Sequence, residues 1–125
     1  MRIVYGGGKG TFEINQDLST VPGDAEANDY FGDSLATVDH NADGCTDLVV
    51  GASREDVGSV TDGGTVDVIY GASGGLASGR AALHLEQGAG SGDILAATSD
   101  SGDRMGAAVA AGLTFANEPY IVIGT

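Results

Sequence analysis

The chain has no tryptophan, one cysteine, two prolines and three phenylalanines in 125 residues. It has five lysines and arginines against eighteen aspartates and glutamates, for a formal net charge of −13. Each scarcity narrows the function. With Cys45 alone, no intrachain disulfide can form, and no cationic neighbour in sequence lowers its pKa for redox or nucleophilic work. The shortage of positive charge argues against nucleic acid and anionic membranes as partners, because both are held by a basic footprint. No apolar run approaches the ~20 residues needed to span a bilayer as a helix, so membrane insertion is not expected. Residues 1–5 run straight into Gly6-Gly7-Gly8, which leaves no apolar core for a signal peptide. Without tryptophan, the neighbouring carboxylates Glu55/Asp56, Asp24/Glu26 and Asp100/Asp103 lack a stacking surface for a sugar. They read as solvated loop residues rather than a glycosidase pair.

Glycine, by contrast, is abundant at 22 residues. It shows no Gly-X-Y period, so collagen is excluded. Frequent glycine between short Val/Ile-rich runs predicts many short strands and tight turns. At this length the chain reads as one domain, and an acidic surface suits cation binding and solubility.

The most informative stretch is 31–53, centred on Asp39, Asn41, Asp43, Gly44 and Asp47. Oxygen-bearing side chains fall at positions 1, 3, 5 and 9 of one loop, with glycine at position 6. Hard cations take six to eight oxygens at about 2.3–2.6 Å, and alternate residues of a tight loop can turn several oxygens to one centre. The Cys45 carbonyl at position 7 is the natural main-chain ligand. Position 12 is Val50 rather than a bidentate glutamate, so the loop is not an EF-hand. Residues 34–38 alternate polar and apolar, and 47–51 form an apolar run closed by Gly51. The unit is a strand, a cation loop and a strand.

Phe31-Gly32 before the loop and Gly51-Ala52-Ser53 after it complete a pattern that resembles the FG-GAP repeat. This is the blade motif of integrin α-subunit β-propellers and of many bacterial secreted proteins. The resemblance implies an all-β chain built of four-stranded antiparallel propeller blades. It implies one Ca²⁺ held by Asp39, Asn41, Asp43, the Cys45 carbonyl and Asp47, and a secreted or cell-surface location. It also implies a non-enzymatic binding or adhesion scaffold, with a protein or carbohydrate ligand taken by the parent propeller. The alternative is a non-catalytic propeller module of a larger secreted hydrolase. Since an exported parent would carry a leader, this chain reads as a fragment.

Internal repetition supports blades. Residues 2–6 resemble 67–71, both ending in Tyr-Gly. Residues 29–36 resemble 103–110, and 48–52 resemble 121–125. The larger offset of the latter pairs fits an insertion within 88–102. The expected organisation is strands three and four of one blade in 1–27, a complete blade in 28–102 with its cation loop at 39–47, and the first hairpin of a further blade in 103–125. Strands are expected at 2–5, 11–15, 34–38, 47–51, 64–70, 81–85, 106–111 and 120–124. The stretch 81–86 could form a helical turn, but its counterpart 11–15 alternates and favours strand. In the second hairpin, 111–119 has lost the oxygen ladder, so no metal is expected there. Open half-blade edges predict self-association.

Three motifs mislead. Gly71-Ala72-Ser73-Gly74-Gly75 fits G-x-S-x-G, but only His84 follows and no acid stands between, so catalysis by Ser73 is not expected. Gly6 to Thr11 lacks the spacing of a P-loop. His40 is expected to point outward from the loop and His84 to serve as a surface or packing residue; two distant histidines do not make a zinc site.

Overall fold

The computed structural model describes residues 1–88 and 98–125. Their regular structure is all strand: β1 (Arg2–Val4), β2 (Thr11–Glu13), β3 (Phe31–Val38), β4 (Asp47–Ala52), β5 (Thr65–Ile69), β6 (Leu83–Leu85), β7 (Ala108–Leu113) and β8 (Pro119–Gly124). They form three antiparallel sheets: β1-β2, β3-β4-β5-β6 and β7-β8. This is the make-up of one full propeller blade flanked by two hairpins. The stretch 81–86 contains strand, not helix. Most of the expected insertion within 88–102 lies outside the described residues.

The central sheet is covered on both faces. Every residue of β4 and β5 is buried. Val49, Val66, Val68, Tyr70 and Met105 make one core, against which Val109, Ala111, Ile121 and Ile123 of the β7-β8 hairpin pack. Ile14, Val21, Leu48, Val50 and Ile69 make the other, joined by Ile3 and Phe31. Alternation assigns neighbours to opposite faces, so Val49 serves one seam and Val50 the other. A fully buried valine contributes about 1.5–3 kcal/mol, so Val49, Val50, Val66 and Val68 concentrate the apolar stabilisation in β4 and β5.

The seam to β7-β8 is close. Ser34 Oγ donates to the Gly106 carbonyl at 2.6 Å. A Cβ on Gly51 would overlap that same carbonyl, which explains why a residue without a side chain stands there. At the start of β3 the register shifts between Phe31 and Ser34, and Asp33 is left to accept a bond from Ser53 Oγ at 2.6 Å.

Candidate metal centre

The loop that joins β3 to β4 is built on its own side chains. Asp39 Oδ1 accepts from the Asp43 amide at 3.0 Å and Oδ2 from the Gly44 amide at 2.9 Å. Asn41 Oδ1 also accepts from the Asp43 amide, at 3.1 Å. Asn41 Nδ2 donates to Asp43 Oδ2 at 2.8 Å, and Asp43 Oδ1 accepts from the Cys45 amide at 2.8 Å. The chain reverses with Ala42 at φ 57° and Gly44 at φ 86°. These left-handed conformations are why a glycine at position 6 suits the loop. Asp39, Asn41 and Asp43 are thus tied into one exposed turn by these bonds.

Asp47 is placed differently. It is fully buried, and its two oxygens accept from amides on either side: Oδ2 from His40 at 2.8 Å and Oδ1 from Gly71, just past β5, at 2.8 Å. It ties the start of the loop to the exit of the third strand. This clamp was not foreseen from the ligand pattern. Cys45 is half-buried; burial and then the Asp43 carboxylate push its thiol up. The amide of Cys45 and then the side chain of Asn41 hold the Asp43 carboxyl below the usual range.

The donor set suits a hard cation: three carboxylates and a carboxamide, with a main-chain carbonyl between them in sequence. Carboxylate oxygens accept more than the one amide each takes here. Among the described residues no three His, Cys, Asp or Glu side chains converge on one point. The carboxylates are drawn onto the loop's amides instead, so gathering them requires the loop to share those bonds with an ion.

Residues 31–69 match the family model for the FG-GAP repeat. The chain carries an FG-GAP repeat. The matched span opens on the first residue of β3 and closes on the last of β5, so it takes in the loop and three of the four strands of the central sheet. No curated protein matches the chain. FG-GAP proteins are typically extracellular, and among the described residues no helix is long and apolar enough to cross a membrane.

Several sequence expectations change around this repeat. His40 does not point outward; it is half-buried, with its ring centroid 6.3 Å from that of Tyr70. Its main chain is drawn in by Asp47, and the ring follows. Glu55 is not a solvated loop carboxylate but is buried, and accepts from Gln16 Nε2 at 2.7 Å. His84 is more than a packing residue: its Nδ1 lies 2.7 Å from Oδ1 of the buried Asp67. Ser73 is at the tip of a turn closed by reciprocal Ala72–Gly75 bonds, not at a strand-to-helix elbow. The counterpart loop of the second hairpin has contracted to a turn in which Thr114 pairs with Glu118.

Proposed function

We propose that this FG-GAP repeat binds one Ca²⁺ as a structural ion and serves as part of an extracellular propeller scaffold for adhesion or ligand binding. The observation that carries the reading is the loop itself. Asp39, Asn41 and Asp43 are linked by hydrogen bonds within one exposed turn, and Asp47 is buried at its base, within one of the repeat's own hairpins. Bound there, Ca²⁺ would neutralise the clustered carboxylates. The chain's part is to offer the Asp39, Asn41 and Asp43 side chains and the Cys45 carbonyl from a hairpin whose strands are fixed by the core. Asp47 supports the base and completes the set. Partner recognition belongs to the loops, because fold alone does not determine a ligand. The net charge of −13 favours protein or carbohydrate over nucleic acid.

Calorimetry tests the reading. One Ca²⁺ should bind per chain, with Mg²⁺ weaker because it demands tight octahedral geometry and dehydrates reluctantly. Asp43→Ala should abolish binding, and Ca²⁺ at a hundredfold excess over Kd should stabilise the fold by roughly 2.7 kcal/mol. No heat with Ca²⁺, or an unchanged affinity in Asp43→Ala, refutes it.

A further inference from the structure

A second polar cluster lies in the seam between the central sheet and the N-terminal hairpin. Asp67, in the middle of β5, is fully buried. Its Oδ1 meets His84 Nδ1 at 2.7 Å across the β5–β6 pairing, while its Oδ2 has no partner among the described residues. The other groups facing the pair are acidic. Glu55 approaches from the segment after β4, and Glu86 lies just past β6, its Oε2 3.8 Å from His84 Nε2. Asp29, before β3, faces Glu55. Gln16, from the segment after β2, is neutral and bonds Glu55. The nearby cation Arg54 is turned away onto the Tyr30 ring, 4.6 Å from its centroid. His84 is therefore the group that can offset the buried Asp67 carboxylate. It stands on a strand of three residues at the edge of the sheet, joined to β5 through three residue pairs.

We propose that His84 is a proton-controlled latch: protonated, it pairs with Asp67 and fastens β6 to the central sheet; neutral, it leaves a buried carboxylate uncompensated and lets the edge strand open. An uncompensated buried charge is costly, and removing one partner of a buried pair destabilises strongly. The direction of the titrations agrees. The bond to Asp67, then the surrounding carboxylates, hold His84 above its usual 6.5 against the opposing effect of burial. Burial raises Asp67 and Glu55. A group whose folded pKa is raised stabilises the fold fully below its unfolded value and loses that contribution as pH rises through the folded one. The latch is therefore tight in mild acid and loosens as pH rises through the raised midpoint of His84.

The test is an NMR titration of the His84 ring together with hydrogen exchange of the β6 amides from about pH 6 to about pH 8.5, corrected for intrinsic rates. His84 should titrate above 6.5. Protection of β6 should fall as pH passes that midpoint, while β4 and β5 stay protected. In Asp67→Asn the His84 midpoint should drop and the pH dependence of β6 flatten. A wild-type midpoint at or below 6.5, or β6 protection that does not change with pH, overturns the latch. Both are read on the wild-type chain, so a variant that failed to fold would not obscure the result.

Discussion

Replacing Asp47 by alanine separates the two roles that this residue combines. Its carboxylate accepts one amide from the start of the loop and one from the end of β5, each at 2.8 Å. Alanine leaves the amides of His40 and Gly71 without that acceptor. Hydrogen bonds to a charged group contribute about 1.5–3 kcal/mol each. The loss is discounted because both amides belong to half-buried residues that water can reach in part, and because removing a buried carboxylate relieves its desolvation. The net cost should be about 2–4 kcal/mol. At about 4 °C per kcal/mol for a chain of this length, Tm should fall by about 8–16 °C. Asp47→Asn, which keeps one acceptor oxygen, should lie between alanine and wild type. The assay is thermal unfolding with a chelator present, so that no cation contributes and the difference belongs to the amide clamp. If Asp47→Ala melts within about 2 °C of wild type under chelator, Asp47 does not hold the loop to β5.

Other substitutions probe the seams. Gly51→Ala drives a methyl into the Gly106 carbonyl and toward Ser34 Oγ; because the obstruction is main chain, it should cost at least about 2 kcal/mol in denaturant unfolding. Ser34→Ala removes only the half-buried bond to that carbonyl and should cost about 1 kcal/mol. Gln16→Ala strips the buried Glu55 of its amide donor and should lower stability by about 1–3 kcal/mol, seen as a lower urea midpoint. Cys45→Ser should leave Ca²⁺ affinity within about twofold in calorimetry, because position 7 acts through its carbonyl.

The fold was legible because two local signals agreed. Apolar runs closed by glycine marked β4 and β5, and the polar, glycine-bearing connection between β3 and β4 fixed the first hairpin. Strand ends were less clear. β3 begins at Phe31 rather than 34, because the irregular register at Gly32 and Asp33 lets a Gly-Asp pair sit inside a strand. The candidate ligand side chains could be named from spacing, but spacing says nothing of what holds them in the absence of an ion. That Asp47 reaches Gly71, 24 residues on, depends on β4 lying beside β5, a contact no local pattern contains.

The Asp67–His84 pair was missed for a more instructive reason. Alternation along 66–70 puts Val66, Val68 and Tyr70 on one face, where they share a core, and the usual corollary makes the other face wet. A blade between two neighbours has no wet face. Thr65, Asp67 and Ile69 point into a second seam, and all three are buried. In such a sheet an isolated acidic residue within an apolar strand marks a charge carried into an interior, and it calls for a partner on the adjacent strand. Given the register, His84 is directly opposite. In β4, Asp47 opens a buried run, lies across the sheet from Val38 and accepts a main-chain amide at each oxygen. The two buried aspartates of the central sheet are thus compensated in different ways. The one at the loop is held by fixed dipoles that do not titrate, and the one at the seam by an imidazole that does. Sensitivity to pH should therefore concentrate at β6, leaving the anchoring of the loop to β5 unchanged across the range in which His84 loses its proton.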